Sequence, residues 1–128
     1  MKTKKILIDF IFLITGANTG IGKETAIDLA KRGARVIICC RDMTRAEAAA
    51  KDIRKDSGND LVEVAQLDLA SLKSIRKCAE NLLEKEDKID YLINNAGKVF
   101  IIFTHCCELF KLFFCFWTEQ LFLIYFMI

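Results

Sequence analysis

The chain has 128 residues, 53% of them hydrophobic and 28% charged, with no proline and a formal net charge of +2. That length fits one domain with a sizeable core, and the near-neutral balance excludes a strongly basic nucleic-acid binder and an acidic tail protein. The averages conceal a division, because residues 98–128 hold eight of the ten phenylalanines, the single tryptophan, three of the six cysteines and two charges of each sign.

Taken in chain order, Met1-Lys2-Thr3-Lys4-Lys5 and the apolar run over 6–14 have the outline of a signal peptide. Asp9 interrupts the run and no small-residue cleavage site follows, so the segment is read as a buried first strand. Residues 15–20 form a turn. A helix over 21–32 turns Ala26, Ile27, Leu29 and Ala30 inward, and Gly33 suits the position after its end. Residues 35–40 are a second strand, rich in β-branched side chains. Thr44-Arg45-Ala46-Glu47 reads as a capping box, opening an alanine-rich helix that ends near Ser57-Gly58. Residues 61–67 form the third strand, with Val62, Val64 and Leu67 inward. Ser71 caps a helix carrying Leu72, Ile75, Cys78, Ala79, Leu82 and Leu83 at helical spacing, and the charged stretch 85–88 ends it. Residues 89–94 are the fourth strand and lead into Asn95-Ala96-Gly97.

Strands alternating with amphipathic helices of about 10–15 residues indicate βαβ units and a parallel sheet. The expected fold is α/β, a Rossmann-like parallel sheet with flanking helices over residues 1–97, followed by a Phe-rich tail over 98–128. From Val99 neither the helical nor the strand period persists, and no Gly, Pro, Asn or Asp supplies a turn. Residues 110–128 are polar only at Lys111, Thr118, Glu119 and Gln120. Their uncharged runs fall short of the ~18 residues of a spanning helix, so the tail is a marginal candidate for membrane contact or for packing on the open sheet.

The cysteines stand as Cys39-Cys40, Cys78, Cys106-Cys107 and Cys115, beside one histidine, His105. No spacing suits zinc, so no metal site and no disulfide scaffold are expected. An intracellular, reducing setting is expected, with the endoplasmic reticulum or another membrane as the place if the tail inserts.

The chemistry lies in Thr15-Gly16-Ala17-Asn18-Thr19-Gly20-Ile21-Gly22, between a strand and a helix. Gly16 allows the tight turn, Gly20 lets backbone approach a pyrophosphate, and Gly22 lets the helix pack closely on the strand, while the helix N-terminus presents free N–H groups to the phosphates. At the end of the second strand, where an acid would hold the ribose of NAD, Arg41 precedes Asp42. A guanidinium pairs with a 2′-phosphate, which favours NADP. The alternative leaves Arg41 solvated and puts Asp42 on the ribose, as for NAD.

T-G-A-N-T-G-I-G-K, C-R-D after strand two, L-D-L after strand three and N-N-A-G after strand four resemble the short-chain dehydrogenase/reductase family, and ITGANTGIGKETAIDLAKRGARVIICCRDM, LDLASLKSIR and DYLINNAG resemble its retinol dehydrogenase branch. The resemblance covers residues 13–97. It implies a coenzyme turn of Gly16, Gly20 and Gly22 lined by Asn18, Thr19 and Ile21, with Arg41 at the 2′-phosphate and Asp68 and Leu69 at the adenine. Asn95, Ala96 and Gly97 would line the ribose, and Asn94 would brace the sheet. Lys23 is read as a solvated helix residue.

In that family a tyrosine exchanges the substrate proton, a lysine four residues later lowers its pKa, a serine polarises the substrate oxygen and an asparagine completes the relay. A phenol of pKa about 10 is a poor acid or base at neutral pH until a cation shifts it. Here Tyr91 is followed four residues on by Asn95, Tyr125 has no fourth residue after it, and no serine follows Ser74. No residue is therefore assigned a catalytic role, and catalysis by this chain alone is not expected. The expected partners are a dinucleotide and, for the intact family, a retinoid or other alcohol or carbonyl. The alternative function is a non-catalytic fragment that binds nucleotide or self-associates through the open edge of strand four.

Overall fold

A computed structural model of the chain describes residues 6–97. The tail over 98–128, with its candidate membrane contact, and the basic Met1–Lys5 segment lie outside the described residues. The described residues alternate strand and helix: β1 (Ile11–Thr15), α1 (Gly20–Lys31), β2 (Arg35–Cys40), α2 (Met43–Ser57), β3 (Val62–Gln66), α3 (Leu72–Lys85) and β4 (Tyr91–Ile93). The four strands form one parallel sheet in the order β3-β2-β1-β4. This is the expected Rossmann-like α/β arrangement, in which the chain leaves β1 toward β2 and later returns to its other side as β4.

Strand alternation divides the core between the two faces. Phe12, Ile14, Val36, Ile38 and Val62 join Ala26, Ile27, Ala30, Ala49, Ala50 and Ile53 in one buried cluster beneath α1 and α2. Alanines dominate the helix side of that cluster, which lets both helices approach the sheet closely. Leu13, Ile37 and Cys39 alternate to the opposite face and are equally buried. There α3 contributes Ile75, Cys78 and Leu82. Leu72 and Leu83, which share the helical spacing of these residues, are more than half exposed, because they flank the narrower stripe that meets the sheet.

Two boundaries differ from the sequence reading. The first strand begins at Ile11, because Ile8 and Asp9 form a turn in which the Phe10 N–H donates to the Leu7 carbonyl. Ile6 and Ile8 are consequently exposed. The second helix begins at Met43, and its N-cap is Asp42, whose Oδ1 accepts the Arg45 N–H at 3.1 Å. Thr44 therefore lies inside the helix. A carboxylate at the strand exit reaches the orphan N–H two residues earlier than the hydroxyl would, and it favours the positive helix end.

Polar anchors tie the layers together. Arg35 bonds Glu63 of β3 at 2.8 Å and Glu86, just beyond α3, at 2.5 Å. Asn59 is buried and donates to the carbonyls of Ala30 and Ala34, both at 2.9 Å, while its Oδ1 accepts the Leu61 N–H. It thereby ties the loop before β3 to the last turn of α1 and to the loop that follows that helix. Lys23 does not stand alone in solvent: its ammonium pairs with Asp52 of α2 at 2.7 Å.

Candidate functional site: the coenzyme turn

All four strands run in parallel, so their C-terminal ends share one edge, and the loops leaving them meet there. Thr15 ends β1 and is buried although polar. Its hydroxyl oxygen accepts the N–H groups of Asn95 and Ala96, each at 3.1 Å. The Asn95 carboxamide nitrogen then donates to the carbonyls of Thr15 at 3.2 Å and Gly16 at 3.1 Å. The segment after β4 is thus fastened to the turn after β1 at the place where the strand order reverses, the crevice where open α/β sheets bind ligands.

The glycines have separate tasks. Gly16 has φ +67°, and a Cβ there would stand 2.8 Å from the Ala96 Cα, so both backbone conformation and contact demand glycine. At Gly22 a Cβ would overlap the Asn95 carboxamide nitrogen and come within 3.0 Å of the Ala17 Cα. The close neighbour is therefore the loop after β4, rather than the strand itself. Gly20 has φ +59° and nothing within 4 Å of a Cβ position, so its backbone borders open space.

The start of α1 differs from that of the other two helices. Asp42 caps α2 and Ser71 caps α3 with side-chain oxygens. Thr19, the N-cap of α1, makes no such bond, and no acid lies in the first turn. The leading N–H groups of α1 accordingly have no side-chain acceptor, and the positive helix end is not neutralised locally. Ile21 beside them is 82% exposed, an apolar side chain held at the mouth of the crevice. Bare backbone at Gly20, uncapped N–H groups and an exposed apolar flank fit a dinucleotide pyrophosphate.

The remaining residues named from sequence surround this turn. Asn18 and Thr19 lie in it. Arg41 follows β2 and is exposed. Asp42 is already engaged, since its Oδ2 also faces the Arg45 guanidinium at 3.4 Å. Asp68 and Leu69 follow β3 and are partly buried, and the Asp68 Oδ1 accepts the Ala70 N–H at 3.0 Å. Ala96 is partly buried and Gly97 exposed. Asn95 fastens its loop to the turn, and the Asn94 Oδ1 is buried without a partner among the described residues.

Two contributors were not singled out from sequence. Thr15 could have been noticed as the polar residue ending an apolar strand. Cys40 could not, because its role depends on tertiary placement. Burial pushes its thiol up, an effect opposed by the nearby backbone of Ala17, Asn18 and Gly16, and the Gly16 N–H is bound to the Cys39 carbonyl at 2.8 Å. Cys40 thus lies next to the turn.

Comparison with known proteins agrees with this geometry. The family model described as short chain dehydrogenase matches residues 11–109. Human retinol dehydrogenase 13 is 59% identical over 85 residues, covering 66% of this chain and 26% of that protein. Mouse retinol dehydrogenase 12 is 59% identical over 87 residues, covering 68% and 28% respectively. The chain therefore spans about a quarter of the length of these curated relatives. Among solved structures, the Pseudomonas aeruginosa RhlG/NADP active-site complex is similar with 35% identity and a TM-score of 0.66, over 77% of this chain and 38% of that one. Together with the parallel sheet and the glycine turn, the family match establishes that the chain belongs to the short-chain dehydrogenase family.

Proposed function

We propose that the crevice binds NADP(H) and that the chain is the coenzyme-binding portion of a retinol dehydrogenase-like oxidoreductase. The uncapped N-terminus of α1 beside the bare Gly20 backbone carries this proposal. Gly16, Gly20 and Gly22, with Asn18, Thr19 and Ile21, would hold the pyrophosphate. Asp68 and Leu69 would border the adenine, and Asn95, Ala96 and Gly97 the ribose. When bound, the nicotinamide supplies the hydride donor or acceptor for an alcohol–carbonyl pair. This chain's own residues bind and orient it: backbone N–H groups meet phosphate oxygens, and Asn95 keeps the turn in shape.

Preference for NADP over NAD follows from charge. The Asp42 carboxylate is occupied by its own helix and by Arg45, which supports Arg41 as the group that meets the 2′-phosphate. The similarity to a protein solved with NADP supports the same choice. The substrate class, a retinoid or another alcohol or carbonyl, is proposed from the named relatives. The 128 residues contain no Tyr-x-x-x-Lys sequence, so this chain alone is proposed to bind coenzyme without turnover. No helix among the described residues is long and apolar enough to cross a membrane.

Fluorescence titration with NADPH and NADH tests the charge argument. Arg41→Glu should lower the NADPH-to-NADH affinity ratio by at least about tenfold, which corresponds to about 1.4 kcal/mol. An unchanged ratio would remove Arg41 from the site. In the same preparation, NADPH oxidation by retinaldehyde should not exceed the protein-free rate, and clear protein-dependent oxidation would contradict the non-catalytic assignment.

A further inference from the structure

On one side the sheet ends at β3, and an edge strand offers its outward N–H and C=O groups to any second strand. The register fixes which groups these are. Val62 is the partner of Val36, Val64 of Ile38 and Gln66 of Cys40. The Val36 N–H donates to the Leu61 carbonyl and the Leu67 N–H to the Cys40 carbonyl, both at 2.9 Å. The ladder to β2 is therefore built from the backbone of Leu61, Glu63, Ala65 and Leu67, and the residues between them turn their backbone groups away. Those of Val62, Val64 and Gln66 face outward, with no further strand beside them among the described residues.

The strand itself carries none of the common protections of an edge. Its pairing with β2 runs without a bulge from Val62 to Gln66, and Val-Glu-Val-Ala-Gln contains neither proline nor lysine. The simplest addition is a second copy related by two-fold symmetry. Antiparallel pairing centred on Val64 would set Val62 of one copy opposite Gln66 of the other, and such a pair exchanges two hydrogen bonds. The Gln66 N–H would donate to the Val62 carbonyl, once at each end of the joined strands.

That carbonyl is already taken. Arg54, in the last turn of α2, donates to the Val62 oxygen from Nε at 3.0 Å and from Nη2 as well. A carbonyl oxygen has two acceptor positions, and one guanidinium fills both. Val62 is accordingly 0% exposed, backbone included, although it lies in an edge strand. Gln66, at the other end of the same strand, is exposed. The left-handed Gly58, with φ +66°, ends α2 and turns the chain back toward β3, which brings Arg54 beside a residue eight positions later.

We propose that Arg54 closes the β3 edge against strand addition by a second copy of this chain. It occupies the acceptor that each end of a β3–β3 pair needs, and it places a cation where the incoming backbone would lie. Neither Arg54 nor Gln66 belongs to the coenzyme turn, so the proposal stands apart from nucleotide binding.

Sedimentation equilibrium of the full chain tests this with Arg54→Ala, Gln66→Pro and the double variant. Arg54→Ala frees two carbonyls in a dimer, and each new hydrogen bond is worth roughly two- to twelvefold in an equilibrium constant. Its dimer dissociation constant should therefore fall at least about fivefold below that of the wild type. Gln66→Pro deletes the outward N–H that would meet the Val62 carbonyl, a substitution an edge strand tolerates on its free side. Added to Arg54→Ala, it should restore the wild-type constant. Should the alanine variant prove unfolded by circular dichroism, Arg54→Gln, which removes the charge and the paired donors, carries the same comparison. Equal dissociation constants for wild type and the folded Arg54 variant would overturn the proposal. Association that Gln66→Pro leaves unchanged would overturn it equally, because the contact would then lie elsewhere than β3.

Discussion

Gly22→Ala tests the fastening of the coenzyme turn. Gly22 lies in α1 with ordinary helical φ, and a glycine-to-alanine change in a helix normally stabilises by up to about 1 kcal/mol. Here the new methyl would overlap the Asn95 carboxamide nitrogen and press on the Ala17 Cα at 3.0 Å. Moving the carboxamide aside sacrifices its bonds to the Thr15 and Gly16 carbonyls, at about 0.5–1.5 kcal/mol each. Overpacking adds about 1–3 kcal/mol. After the propensity gain is subtracted, the variant should be about 1–5 kcal/mol less stable. Urea unfolding followed by circular dichroism measures this, and in an Asn95→Ala background most of the penalty should vanish as a coupling energy. A midpoint that is unchanged or raised by Gly22→Ala, or an equal cost in both backgrounds, would refute the claim that Asn95 and Gly22 are matched.

Arg35→Ala should cost about 3 kcal/mol, near the lower end for breaking a buried ion pair, because Glu86 is left buried while Arg35 itself is partly exposed. Replacing both partners with apolar residues should recover much of that loss in the same urea assay. The Asp90 carboxyl is held below its usual range, first by the Ile11 N–H and then by Lys88. A depressed carboxylate pKa contributes stability that is present above the unfolded value, about 4, and is lost as pH falls through the folded value. The stability gap between wild type and Asp90→Asn should therefore be full at neutral pH and shrink on acidification below about pH 4. A gap independent of pH would contradict that assignment.

Much of the fold could be read because its signals are local. The limits of β2 and the αL glycine ending α2 follow from a β-branched run and from Gly58 with φ 66°. The glycine turn was legible for the same reason: Gly16 and Gly20 adopt positive φ where the motif required it. Competition between neighbours was harder to judge. Asp42 and Thr44 both suit an N-cap, and the strand exit decides between them. Long-range fastening was not legible at all. Asn59 beneath the end of α1, Asn95 across the turn and Cys40 next to it are defined by partners distant in sequence. The crevice could be located from its motif, but the groups that hold its shape required the fold.

Isothermal titration calorimetry of the 128-residue chain with NADP and with NAD tests the coenzyme assignment most directly. Saturable binding to both, tighter for NADP and weakened by Gly22→Ala, is the predicted result. A chain that is folded by circular dichroism yet binds neither nucleotide would contradict it.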